Sequence, residues 1–349
     1  MWIGMGLEFF NLATAGPLGL PQLDDVTSAP PAALIALGRQ LFFDKRLSAN
    51  GRVSCATCHQ PDRAFSDGRA LAQGVNNQLG TRNTPSLLNA AFNSSQFWDG
   101  RRTTLEAQAS DPLLNPREHG IKNEAALLIW LKRDARYPAL FNRAFQSQRL
   151  HIQLTHVQRA IAAFERTLLA GDSDFDRYAY RNEKTRLSAS AERGLVIFKG
   201  PAQCVSCHLI GQTSALFTDN QFHSLRVGLQ RIEQKLPLLT QRVVQYRGAD
   251  GVIDSAILSD ADIAELGRFA FTLQPADIGK FRTPSLRNVA LTAPYMHDGS
   301  VATLEEAVEL EIYYRSAESG RPLILTPTEK IDLVEFLKAL SSPVTVPHK

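Results

Sequence analysis

Every cysteine in the chain falls in one pattern, written twice: Cys55-Ala56-Thr57-Cys58-His59 and Cys204-Val205-Ser206-Cys207-His208. Two thiols two residues apart, with an imidazole directly after them, allow three chemistries. A four-cysteine zinc site could draw on both pairs, but such pairs usually stand about 15–20 residues apart, and these are far more widely separated. A redox dithiol needs a strand-then-helix setting and has no use for the histidine. Covalent haem attachment uses all three side chains. The thiols add across the two vinyl groups on one porphyrin edge, and the histidine ligates iron from the proximal face. Both copies therefore read as haem c sites, with Cys55, Cys58, Cys204 and Cys207 as attachment points and His59 and His208 as iron ligands. No cysteine is left for a structural disulfide.

Haem attachment of this kind is completed outside the bacterial cytoplasm, so the expected location is the periplasm. The N-terminus fits that expectation poorly. "MWIGMGLEFFNLATAG" has an apolar run and a cleavage-like Ala13-Thr14-Ala15, yet it lacks a basic start and carries Glu8 in its middle. Residues 1–29 read as a degenerate export signal or an N-terminal arm. No stretch is apolar for long enough to span a bilayer. A formal net charge of +3 over 349 residues gives no reason to expect a nucleic-acid partner.

The haem motifs belong to a longer duplication. "RNTPSLLNAAFNSSQFWDGRRTTLEA", from Arg82, matches "FRTPSLRNVALTAPYMHDGSVATLEEA", from Phe281. Thr84-Pro85-Ser86-Leu87 answers to Thr283-Pro284-Ser285-Leu286, Asp99-Gly100 to Asp298-Gly299, and Thr104-Leu105-Glu106 to Thr303-Leu304-Glu305. "ALGRQLFF" before the first haem motif agrees loosely with "AERGLVIF" before the second. The second half carries about 50 extra residues between its haem motif and its Thr-Pro-Ser motif, expected as a surface excursion at roughly 222–275. Such self-similarity means two equivalent structural units. Helical periodicity dominates, as in "PAALIALGRQLFF", "EAALLIWLKRD", "THVQRAIAAFERTLL" and "EKIDLVEFLKAL". Helix starts are signalled at Ser188 to Glu192 and at Thr326 to Glu329. The expected fold is mostly α: two cytochrome c-like haem domains related by internal duplication, at 30–185 and 186–349.

With two Cys-x-x-Cys-His motifs, "QFWDGR" after the first and "TAPYMHDGS" after the second, the chain resembles the bacterial di-haem cytochrome c peroxidase superfamily, in its MauG/MbnH-like branch. The resemblance covers about residues 30–341. It implies an enzyme that reacts with H2O2 at the N-terminal haem, while the C-terminal haem stores or relays electrons. Trp98 matches the tryptophan that lies between the two haems; the plainer reading is a core aromatic, which is also the reading of Trp130. Gln108, Pro112 and Glu118 fall at the spacing of the residues lining the peroxide pocket. Glu118 would carry the proton of H2O2 from one oxygen to the other, with Gln108 as its orienting partner; the alternative is that "NPREHG" is a solvated turn. Asn83 and the backbone carbonyls of Thr292 and Pro294 match a Ca2+ site, and all-oxygen ligation suits that ion.

Two departures from the family pattern carry information. Many of these peroxidases cap the first iron with a histidine soon after the first haem motif, but no histidine occurs between His59 and His119, and the matching segment reads "ALAQGVNNQLG". The first haem is therefore expected to be open on its distal side without reductive activation. The family's second haem usually has a distal methionine, but here Met296 sits away from that position. The ungapped match is Glu311, followed by Tyr313 and Tyr314, and MauG and MbnH use tyrosine there. Helix register favours Tyr314, text matching favours Tyr313, and Glu311 or water is the alternative. The resemblance leaves three functions: MauG-type oxidation of a partner protein at an aromatic residue; detoxifying reduction of H2O2 with electrons from a small c-type cytochrome or cupredoxin; and electron carriage without catalysis.

Overall fold

Two helix crossings, each built on a glycine, organise the two halves. The Ala32–Phe43 helix crosses Leu154–Glu165, and the Ala189–Lys199 helix crosses Pro327–Lys338. At the first crossing, a Cβ on Gly38 would stand 1.8 Å from the Ala160 carbonyl oxygen; at the second, a Cβ on Gly194 would stand 2.0 Å from that of Asp332. Only glycine permits so close a backbone approach. Four residues after each glycine comes a phenylalanine, and the two stand in equivalent places. Phe42 packs on Phe164 with ring centroids 5.1 Å apart and on Phe65 at 6.2 Å. Phe198 packs on Phe336 at 5.1 Å and on Phe217 at 6.3 Å. All six rings are buried. Gly194→Ala is expected to cost about 1–3 kcal/mol through overpacking, read as a lower denaturant midpoint with an unchanged slope.

The computed structural model describes residues 16–22, 30–248, 252–320 and 322–343. The N-terminal stretch with Glu8 and Ala13-Thr14-Ala15 lies outside them. Helices account for most of the ordered elements; the described sheet is a two-residue antiparallel ribbon pairing Phe222 with Arg282 and His223 with Phe281. The four periodic segments of the sequence are all helical. The expected helix starts form as hydrogen-bonded caps: Ser188 Oγ accepts from Ala191 N–H at 3.1 Å, and Thr326 shares a capping box with Glu329. Among the described residues no helix is long and apolar enough to cross a membrane.

The repeated Thr-Pro-Ser and Asp-Gly motifs join the halves. Asn83 N–H donates to the His297 carbonyl at 2.9 Å, and Arg282 N–H donates to the Trp98 carbonyl at 2.8 Å. Asn83 and Arg282 are equivalent in the repeat, as are Trp98 and His297. Each half thus binds the Asp-Gly motif of the other, a reciprocal exchange that places Trp98 at the junction.

The inserted segment differs from the expected surface excursion. Its helices Leu229–Ile232, Leu236–Arg247, Val252–Ser259 and Ala261–Ala264 enclose their own apolar core, with Ile232, Leu239, Val243, Ile257, Ile263 and Leu266 buried. It also packs on the first half: Thr81 Oγ1 donates to the Ile257 carbonyl at 2.7 Å, and Arg82 donates to that of Ala264. Apolar residues recurring on one face of each helix bury surface together and stabilise such a unit, which a solvated loop cannot do.

Candidate haem and peroxide sites

Both Cys-x-x-Cys-His motifs form one tight turn, closed by a hydrogen bond from the histidine N–H to the first cysteine's carbonyl: His59 to Cys55 at 2.8 Å and His208 to Cys204 at 2.9 Å. The turn draws each imidazole back beside its cysteine pair. None of the four cysteines is in a disulfide, and among the described residues the two pairs do not converge on one ligand cluster. That arrangement removes the four-cysteine zinc reading.

Each imidazole is oriented by the aromatic core described above. His59 Nδ1 donates to the Phe65 carbonyl at 2.9 Å, and His208 Nδ1 donates to that of Phe217 at 2.8 Å. A carbonyl can only accept, so Nδ1 carries the proton and Nε2 is the basic nitrogen, as an iron ligand requires. Phe65 and Phe217 both adopt left-handed backbone, with φ of 57° and 53°. That conformation is costly for a bulky side chain, and it occurs where a carbonyl must be aimed. Burial lowers the pKa of both histidines, that of His208 to about 4, which keeps the imidazoles neutral. Burial also pushes the Cys58 and Cys204 thiols up to about 12. Neutral imidazoles and apolar walls beside paired thiols fit covalently held haem at both positions.

Around His208 lies a large cavity. Phe198, Cys204, Cys207 and Leu337 line it from the second half, and Asn83, Pro85 and Trp98 line it from the first. The Pro85 backbone also raises the His59 pKa, so this wall of the second cavity lies close to the first site as well. Trp98 Nε1 donates to the Asn83 carbonyl at 2.9 Å, which locks the indole in place. Asn83 Nδ2 donates to the Arg69 carbonyl at 2.8 Å, directing Oδ1 elsewhere, and Thr292 and Pro294 line the same cavity. Trp130, by contrast, packs on Tyr137 and under Arg46, away from either motif.

On the first site, Glu118 is half-buried and its carboxylate accepts from Asn115 Nδ2 at 2.7 Å. Burial raises its pKa, against the lowering effect of Asn115 and of the Arg101 guanidinium. After burial itself, Glu118 is the largest influence raising the Cys58 thiol, so the carboxylate lies within electrostatic reach of the first attachment turn. The orienting partner differs from expectation: it is Asn115, not Gln108, which sits on the Leu105–Ala109 helix. Asn115 is buried, and its Oδ1 also accepts from Arg117 N–H at 2.9 Å, so one amide fixes both the turn and the carboxylate. An Asn before a proline is the available sequence signal for such a turn. Pro112 lies in the Asp111–Leu114 helix and its carbonyl accepts from His119 N–H at 3.2 Å. The 70–80 segment folds back on this loop, with Val75 buried and its N–H donating to the Glu118 carbonyl at 2.8 Å.

The tyrosine expectation meets a different geometry. On the Leu304–Ser319 helix, Val308, Glu311, Ile312 and Arg315 line the His208 cavity, a set spaced at three and four residues. Tyr313 is 66% exposed, and Tyr314 packs edge-on against it at 5.2 Å; neither is on the cavity wall. Met296 is on that wall.

Residues 32–185 match the family model for di-haem cytochrome c peroxidase. The chain is 34% identical to Cytochrome-c peroxidase IdrP1 of Denitromonas iodatirespirans, over 96% of this chain and 90% of that protein. It is 35% identical to Methylamine utilization protein MauG of Methylorubrum extorquens, over 90% and 80% respectively. A solved MauG-like protein associated with microbial copper homeostasis superposes with a TM-score of 0.70 at 32% identity, covering 97% of this chain and 96% of the other. With its duplicated attachment turns and carbonyl-held histidines, this chain belongs to the di-haem cytochrome c peroxidase family and is a haem-dependent oxidoreductase.

Proposed function

We propose that the chain is a periplasmic enzyme that reacts with H2O2 at the His59 site in its fully oxidised form and takes electrons across Trp98, in the manner of MauG, from an aromatic residue of a partner protein. The observation that carries this is the distal segment of the first site. The 70–80 segment, which matches the stretch that carries the family's capping histidine, has no histidine; its Val75 is buried and tied by its backbone to the loop of Glu118. Haem, when bound, supplies the electrons that split the peroxide bond. The protein's part is proton handling: Glu118, oriented by Asn115, takes the proton from one peroxide oxygen and returns it to the departing hydroxide. Trp98 stands on the wall between the sites as the electron path, and Asn83 Oδ1 with the Thr292 and Pro294 carbonyls is proposed to hold Ca2+ at the junction.

A specific observation favours a second reading, detoxification of H2O2 with electrons from a small c-type cytochrome or cupredoxin. On the Leu304–Ser319 helix Glu311, rather than Tyr313 or Tyr314, lines the second cavity, so neither of the phenolates that would favour MauG-type chemistry is on its wall. Steady-state peroxide consumption with a reduced small cytochrome c separates the two. The MauG-type reading expects slow turnover with such a donor and long persistence of the oxidised state without one. Rapid turnover comparable to ordinary enzymes, about 10 per second or more, contradicts it and supports detoxification. Stripping Ca2+ with a chelator is expected to slow the peroxide reaction, and adding Ca2+ back is expected to restore it.

A further inference from the structure

The inserted segment places a carboxylate beside the arginines near the peroxide site. Asp254, on the Val252–Ser259 helix, takes Arg102 Nη2 at 2.9 Å and stands 3.5 Å from Arg101 Nε. Arg102 Nε in turn lies 2.9 Å from Asp111, on the short helix that carries Pro112. Arg101 is buried, gripped by Asp99 at 2.9 Å and laid flat over the Phe97 ring at 3.5 Å. A second-half aspartate thus completes a charge cluster that is otherwise all first-half: Asp99, Arg101, Arg102 and Asp111.

We propose that Asp254 is a positioning residue for the peroxide reaction: by balancing Arg101 and Arg102, it sets the charge felt by the Glu118 carboxylate. The inference rests on Glu118 acting as the proton carrier. The groups facing Glu118 are few. Asn115 donates to it from its own turn, Arg101 and Asp111 act on it through space, and Cys55 and Cys58 border it from the attachment turn. Once bonded to haem, those two sulfurs carry no charge, and of the protein groups just named the arginine–aspartate cluster is the one that still acts on Glu118 by charge. With Asp254 removed, Asp99 and Phe97 still hold Arg101 where it is. The guanidinium charges are then less compensated, and the ionised form of Glu118 is favoured.

The test is the pH profile of the reaction between the holoprotein and H2O2. In the wild type the rate falls as pH drops and Glu118 is protonated. In Asp254→Asn this acid limb moves to lower pH by about 0.3–1 unit, so that at a fixed pH on the limb the variant reacts about two- to tenfold faster. Asp254→Glu keeps the wild-type limb, which a loss of packing would not allow. Arg102→Gln moves the limb the other way and reports even if Asp254→Asn fails to fold. Unshifted limbs in haem-loaded variants overturn the inference. A wild-type rate indifferent to Glu118→Gln overturns the role of Glu118 and the inference with it; loss of rate in Glu118→Gln with an unshifted Asp254→Asn limb overturns the inference alone.

Discussion

Glu118→Gln is expected to slow the reaction with H2O2 by about 10²–10⁴-fold, the usual worth of a positioned acid/base group. The amide keeps the size of the carboxylate and can still meet Asn115, but it cannot take a proton. The carboxylate's position explains why a large effect is expected. Its pKa is raised by burial, which brings it nearer the working pH, while Asn115 and Arg101 keep the ionised form accessible. A carboxyl with a raised pKa accepts a proton from H2O2 more readily and returns it less easily, so the rate should fall on the acid side as the base is lost. Rapid mixing with H2O2, followed at the haem absorption, measures this directly. Asn115→Ala is expected to lose rate as well, through misorientation, whereas Gln108→Ala should lose less, because Gln108 is not the carboxylate's partner in this fold.

Arg287→Leu is expected to cost about 3–5 kcal/mol of stability, the penalty for stranding one partner of a buried ion pair. Arg287 and Asp176 are both fully buried and joined by two bonds, of 2.8 and 2.9 Å. The same guanidinium donates to the Gly19 carbonyl at 2.6 Å and to that of Ala215 at 2.7 Å. It therefore ties an N-terminal turn to the chain segment that leads into Phe217, whose carbonyl holds His208. The repeat supplies an internal control. The position equivalent to Arg287 in the first half is Leu88, buried in an apolar cluster. Replacing both Arg287 and Asp176 with apolar residues should accordingly cost less than replacing Arg287 alone. Denaturant unfolding of the single and double variants checks this, and equal costs would contradict it.

The duplicated text made the overall plan legible. Gly38 and Gly194 stand at the same place in "ALGRQLFF" and "AERGLVIF" because each must let two helices touch. Periodicity was enough for the helices themselves, since each buries one apolar stripe against its neighbour. The attachment turns follow from bonding distances within a five-residue motif and were readable for the same reason. Contacts between segments distant in sequence were another matter. Asp254 meets Arg102 across about half the chain, and no local pattern marks either residue for the other. The face that the Leu304–Ser319 helix turns to the second cavity depends on how it lies on Pro327–Lys338. An ungapped count, text matching and helix register pointed to Glu311, Tyr313 and Tyr314 in turn, so the sequence left three candidates open. The Phe65 and Phe217 carbonyls were hidden for a third reason: the group that acts is backbone, and the side-chain identity does not announce it.

The central claim is that the first site meets peroxide without prior reduction. Its most direct test adds stoichiometric H2O2 to the fully oxidised protein with no donor present, following both ferric haem signals by EPR together with near-infrared absorption. The account predicts that both ferric signals disappear and that a long-lived near-infrared band appears. If the signals persist until one haem is reduced, a ligand caps the first site, and the reading of the 70–80 segment is contradicted.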